Sequence, residues 1–116
     1  MTRTLTLLAA ASLTLAATPL PAQVQSNLAK NYSDRLAALT DLQRRGSLRR
    51  AILDSGEKCQ SVSKAAYQGP YKNMEMWVAR CGTTDFGAFI GPDGTVQVSS
   101  CAYLVSVKWP ACRKLD

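Results

Sequence analysis

Residues 59–101 read CQSVSKAAYQGPYKNMEMWVARCGTTDFGAFIGPDGTVQVSSC and carry three of the chain's four cysteines. Short apolar runs alternate there with glycine-bearing breaks, the pattern of an antiparallel β-meander held by disulfides. Strands are expected over residues 59–68, 74–81, 86–90 and 95–100. The breaks fall at Gly69-Pro70, at Gly82-Thr83-Thr84-Asp85 and at Gly91-Pro92-Asp93-Gly94.

Parity decides the geometry of the last hairpin. Phe86, Ala88 and Ile90 share one face, and Val96 and Val98 are the apolar set of the next strand. A two-residue turn over Pro92-Asp93 would set Ile90 opposite Thr95 and send the two apolar sets to opposite faces. A three-residue loop, Pro92-Asp93-Gly94, with a bulge at Gly94, pairs Ile90 with Val96 and Ala88 with Val98. The bulged hairpin is therefore expected. For the first hairpin, folding about Pro70 sets Val62 opposite Val78 and Cys59 opposite Cys81. Four cysteines allow three pairings. This register favours Cys59–Cys81 with Cys101–Cys112.

The chain begins MTRTLTLLAAASLTLAATPLPA. Arg3 supplies a positive start, residues 5–17 are apolar but too short to span a bilayer, and a small-residue, proline-rich exit follows. That is the pattern of a secretory signal peptide over residues 1–22, with cleavage expected after Ala22. An uncleaved anchor is the alternative. The expected location is periplasmic or secreted, with no transmembrane segment in the mature chain. Removing Arg3 lowers the net charge from the +6 of the whole chain to +5. A mature chain of residues 23–116 buries only a modest core. In an oxidising compartment two disulfides stabilise it, each by about 2–4 kcal/mol.

Between leader and meander the period changes. Leu28, Tyr32, Leu36, Leu39 and Leu42 recur at helical spacing over residues 23–45 and make one apolar stripe. Ser33-Asp34 offers an alternative start for a shorter helix. Gly46 breaks the pattern, and Ser47 suits an N-cap. Leu48, Ala51 and Ile52 form one face of a second short helix that Gly56 stops. After Cys101, residues 102–108 form a helical turn or two, Pro110 ends it, and Cys112 can return to Cys101. The chain thus divides into residues 1–22, a signal peptide; 23–46, an N-terminal helical segment; and 47–116, a disulfide-stapled α+β domain. The fold class is α+β: a helix or helices, an antiparallel three- to four-strand meander, and a short C-terminal helix.

Composition excludes much chemistry. Histidine is absent, which removes Ser–His and Cys–His nucleophiles and histidine metal sites. The cysteines are separated by 21, 19 and 10 residues, so no C-x-x-C supports a zinc or thioredoxin-type site. Glu75 and Asp85 are the only carboxylates weighed as an acid/base pair, and nothing in the spacing joins them. GPDG lacks the lysine and following helix of a phosphate cradle and reads as a turn. No catalytic residue, cofactor or metal is expected, and a nucleic-acid partner is not expected of an exported domain.

Two surfaces remain. If Val62, Met76 and Val78 face the core, then Tyr67, Trp77 and Phe89 face away, with Tyr71 in the adjoining loop. Exposed aromatics dominate interface hot spots, so this is a candidate binding face. The alternative is that the N-terminal helix or the C-terminal segment covers it. Arg44, Arg45, Arg49 and Arg50 form a basic cluster, either a solvated helix face or a contact for an acidic partner or membrane surface.

Residues 52–59 (ILDSGEKC), Val62 with Tyr67-Gln68-Gly69, Trp77-Val78 with Arg80-Cys81, the PDGTVQV run, and Cys101, Leu104, Val107 and Cys112 resemble a group of small uncharacterised exported four-cysteine proteins of proteobacteria. The resemblance covers about residues 49–115 and implies a helix, a three- or four-strand meander and four ordered cysteines. That group has no established activity, so no functional residue carries over. The helix-then-meander order also resembles PepSY-type domains, which are associated with inhibition or regulation of secreted peptidases. That likeness is one of topology and carries no motif. Two functions are expected from these readings. One is a non-catalytic binding or inhibitory module acting through the aromatic face on an envelope protein. The other is a basic envelope-associated protein whose arginines touch anionic lipid or polymer.

Overall fold

Thr40 decides where the first helix gives way to the second. In the computed structural model, which describes residues 9–116, helix α1 spans Ala22–Ala38 and α2 spans Asp41–Asp54. Thr40 is the N-cap of α2: its hydroxyl accepts from the Gln43 amide, and the Gln43 side chain accepts from the Thr40 amide. This reciprocal capping box satisfies two of the amides that a helix start leaves unpaired. The break expected at Gly46 with a cap at Ser47 is thus corrected. Gly46 lies inside α2, exposed, and the packing of Leu48 and Ile52 outweighs a glycine cost of about 1 kcal/mol. The segment boundary between residues 46 and 47 moves to Leu39-Thr40.

Residues 9–20 are exposed and adopt no regular structure, and the cleavage point expected after Ala22 falls at the first residue of α1. The start of the leader, Arg3 included, lies outside the described residues. No helix of the described residues is long and apolar enough to cross a membrane.

Four antiparallel strands follow in sequence order: β1 Val62–Tyr71, β2 Met74–Cys81, β3 Thr84–Ile90 and β4 Val96–Ser100. The β3–β4 hairpin is the bulged one. Ile90 pairs with Val96 and Ala88 with Val98, Gly94 takes φ of 81°, and the Gly94 amide donates to Gly91 O at 3.1 Å. A Cβ at Gly94 would sit 2.9 Å from the Tyr32 ring, so glycine is required twice over.

The first hairpin differs from expectation. Its turn falls at Lys72-Asn73, not at Gly69-Pro70, and Lys72 takes a left-handed φ of 54°. Gly69 instead marks an irregularity in the ladder, with a second one between Val62 and Lys64. Val62 therefore lies opposite Cys81, and Ala66 lies opposite Val78. Cys59 sits just ahead of β1, yet still reaches Cys81 with a Cα–Cα distance of 5.7 Å. The second disulfide joins Cys101, at the start of helix α3 (Cys101–Ser106), to Cys112. Both bridges are those favoured from sequence.

Both faces of the sheet are covered. Under α1 and α2 lie Val62, Trp77, Ala79, Phe86, Ala88 and Ile90, packed against Leu48 and Ile52. On the opposite face, Met76, Val78 and Phe89 are covered by Leu104 of α3 together with Trp109 and Leu115. Gly87 lets α3 come close: a Cβ there would meet the Leu104 side chain at 2.6 Å. β2 is buried on both sides, so its MEMWVARC sequence is a nearly continuous apolar run. α1 meets the sheet through small residues. Ala29 and Ser33 are its buried positions, whereas Leu42, expected in the stripe, is 73% exposed on α2.

Candidate functional site

The aromatic face drawn from sequence does not exist as one surface. Phe89 pairs with Met76, and Trp77 pairs with Ala88, so Phe89 and Trp77 point to opposite sides of the sheet. The β2–β3 register sets Trp77 with Ala88 rather than Phe89, and the displaced first turn separately puts Val62 on the Trp77 side rather than the Met76 side. Trp77 is 4% exposed and Phe89 1% exposed. The Trp77 indole N–H donates to Ser33 Oγ of α1 at 2.9 Å, and the Arg44 guanidinium lies over the ring at 6.0 Å. The helices cover this face, as the alternative reading held. Tyr71 and Phe89 belong to the other layer. They pack with Trp109 at ring separations of 5.1–5.9 Å, and Lys72 sits over Tyr71 and Trp109.

Tyr67 alone of that set is exposed, at 41%, while Tyr71 is half-buried. Its hydroxyl donates to Glu75, a buried carboxylate on the helix-covered face. Burial first, and the Glu75 hydrogen bond and charge second, push the Tyr67 phenol up to about 12 from 10.0. The neutral phenol is the form the fold prefers. Below pH 10 both folded and unfolded chains keep the proton, and the contribution is complete. Between about pH 10 and 12 only the unfolded chain releases it, so stability falls as pH rises through that window. The difference in tyrosinate absorbance between wild type and Tyr67→Phe should isolate one phenol ionising near pH 12. A difference titration centred near pH 10 would contradict this assignment.

The arginine cluster is largely engaged with backbone carbonyls. Arg44 donates to the carbonyls of Leu36, Ala37 and Leu39 at 3.2, 2.8 and 2.7 Å, which places a cation on the C-terminal end of α1. Arg45 donates to Val62 O at 3.0 Å and pairs with Asp41 at 2.9 Å. Arg49 donates to Cys59 O and Gln60 O at 3.1 and 2.9 Å. Together Arg45 and Arg49 fasten α2 to the segment leading into β1. Only Arg50 stands clear of the backbone, in an exposed pair with Asp54. Three of the four guanidiniums thus serve as backbone clamps, because residues 59–62 and the end of α1 present carbonyls that secondary structure does not satisfy.

Among the described residues, three concave regions border β4, and two others of about 460 and 280 Å³ lie beside Arg80 and Asp85 and beside the C-terminal tail. A groove of about 600 Å³ near the hairpin ends is lined by Leu28, Met74, Phe89, Thr95 and Gln97, with Pro19 and Leu20 of the expected leader at its side. On the helix side, about 170 Å³ is bounded by Leu36, Leu48, Ala51, Ile90 and Val96. On the α3 side, another 170 Å³ is bounded by Phe89, Gln97, Tyr103, Leu104, Val107 and Trp109. Tyr103 is 56% exposed and Val107 is exposed as well. Asp93 shapes the β4 entrance: its carboxylate accepts from the Thr95 hydroxyl and amide at 2.7 and 3.0 Å, which holds it below the usual carboxylate range. Sequence reading passed over this margin. Its available signal was that the last strand of a meander ends at a sheet edge, and that residues 95–100 carry no charge or proline.

Among the described residues, no cluster of acidic or cysteine side chains could hold a metal. No family model, curated protein or solved structure matches the chain.

Proposed function

We propose that this chain is an exported, non-catalytic binding module whose contact surface is the margin around β4. The observation that carries the reading is a groove on each side of β4, the α3-side one flanked by the exposed Tyr103 and Val107. Export is supported by the leader-like first 22 residues and by two disulfides, which persist in oxidising compartments. The aromatic face is set aside as the contact surface because Trp77 and Phe89 are buried on opposite sides. A role on anionic lipid or polymer is the weaker reading, since Arg44, Arg45 and Arg49 are engaged with backbone carbonyls.

The test is chemical crosslinking in an exported-protein fraction at low and high salt, with wild type beside Tyr103→Glu/Val107→Glu. Both substituted side chains are exposed, so the core is left alone. The expected result is a defined partner that survives high salt, is lost with the double variant, and re-forms a stoichiometric complex from purified components. Capture that disappears with salt in wild type would refute this reading and favour envelope electrostatics, because screening shortens as ionic strength rises. Capture unchanged by the double variant would also overturn it.

A further inference from the structure

Resting on the β4 margin as the contact surface, we infer that its occupant is an extended segment of another exported protein, added to β4 as a fifth strand. β4 is an outer strand of the sheet. The other outer strand, β1, is partly occupied by the C-terminal tail: Gln68 Nε2 donates to Ala111 O, the Arg113 amide donates to Gln68 Oε1, and Arg113 Nη1 donates to Tyr67 O. Among the described residues, no segment lies along the outer edge of β4 in this way.

The ladder fixes which backbone groups that edge offers. The Gly91 amide donates to Thr95 O at 2.9 Å, which makes those two residues a hydrogen-bonded pair. Antiparallel pairs alternate, so Ile90–Val96 and Ala88–Val98 are non-hydrogen-bonded pairs. The amides and carbonyls of Val96 and Val98 and the amide of Ser100 therefore face outward, while Ser100 caps α3 and its carbonyl turns into that helix. Water satisfies such a row group by group, and an extended backbone matches its alternating donors and acceptors all at once. Exposed edges are usually blunted by charge, proline or a bulge. β4 reads VQVSS and has none of these.

The side chains of the added strand have places to go. Successive residues of a strand point to opposite faces. One would enter the helix-side groove beside Leu36, Ala51 and Val96, and the next the α3-side groove beside Tyr103, Val107 and Trp109. The occupant is thus a short run of consecutive apolar residues. Charge sets its flanks. Arg35 stands over the Tyr32 ring at 5.5 Å beside the first groove, and Lys108 follows Val107 beside the second. Among the described residues neither enters an ion pair with a side chain. Acidic flanks suit these cations. A second copy of this chain would bring like net charges together, +6 against +6 for the whole chain, and is disfavoured.

The probe is the capped heptapeptide Glu-Ser-Val-Leu-Val-Ser-Glu, titrated into ¹⁵N-labelled residues 23–116. Two further peptides carry N-methyl groups on alternate residues, one in each parity. The expected result is saturable binding that shifts the amides of Val96, Val98 and Ser100. Methylation in one parity should weaken binding at least tenfold, and in the other less than twofold. Val98→Pro removes an outward-facing amide, a position where an edge strand tolerates proline. It should abolish binding while unfolding stays cooperative. The peptide pair decides the matter even where that variant fails to fold. Equal effects of the two methylated peptides, or no binding at millimolar peptide, would overturn strand addition. So would self-association of the wild-type chain that Val98→Pro reverses, which would make a second copy the occupant. A crosslinked partner that is lost with Tyr103→Glu/Val107→Glu but kept by folded Val98→Pro would overturn strand addition alone and leave the binding-module reading standing.

Discussion

Replacing Trp77 by alanine is expected to destabilise the domain by about 3–5 kcal/mol, the usual cost of deleting a large buried aromatic. The side chain is 4% exposed and sits in the cluster with Leu48, Ile52, Phe86 and Ile90. Its loss opens a cavity between α1, α2 and the sheet. It also leaves Ser33, itself buried on α1, without its donor. Small domains are stable by only about 5–15 kcal/mol, so the variant should lose a large share of its stability. Trp77→Phe is the informative control. It keeps most of the packing and loses the indole hydrogen bond, for about 1–2 kcal/mol. Urea unfolding followed by far-ultraviolet circular dichroism measures both. A loss below about 1 kcal/mol for Trp77→Ala would mean that the helices do not seal this face.

The second large effect is expected at the bridge between Cys59 and Cys81. In the chain-entropy picture, its span of 22 residues gives about 3.4 kcal/mol, against about 2.8 for the 11-residue span of Cys101–Cys112. Cys59 is also buried, and its carbonyl receives Arg49, so the bridge anchors the entry to β1 where the ladder is irregular. Cys59→Ala/Cys81→Ala should therefore lower the urea midpoint more than Cys101→Ala/Cys112→Ala. The second pair has a different consequence. It frees the segment that holds Trp109 and Leu115 over Phe89. Its loss should raise binding of a hydrophobic dye even while the sheet persists. The reverse order of midpoints would place the weaker point of the fold at the C-terminal strap.

Much of the architecture was legible from local pattern. The strand over 74–81, the bulged loop at Pro92-Asp93-Gly94 and the short helix after Cys101 follow from features within a few residues of each other. The favoured disulfides span 22 and 11 residues, and Cys59–Cys81 forms although the first hairpin turns at Lys72-Asn73 rather than about Pro70. The α1–α2 boundary was equally local but was missed. Thr40 and Gln43 form a cap that outranks Gly46 as a punctuation mark. The candidate surface was much less legible. Exposure at Tyr67, Trp77 and Phe89 depended on which face met the helices, and β2 is apolar on both sides, so alternation carried no sign there.

Local pattern along the chain was enough for the α+β class, the meander and the bulged register of the last hairpin. Turn chemistry and period-two alternation act between neighbours, and they need no distant partner to be read. Only the tertiary structure decided that the arginines clamp carbonyls, that Trp77 closes against Ser33, and that β4 keeps an open edge between two apolar grooves. Those outcomes depend on the register of β1 and on where α1 and the C-terminal tail settle. The arginine clamps reach 5–17 residues, whereas Ser33 with Trp77 and Tyr67 with Arg113 are contacts 44 and 46 residues apart in sequence. Spacing along the chain does not encode contacts of that range; burial and hydrogen-bond satisfaction of the whole domain select them.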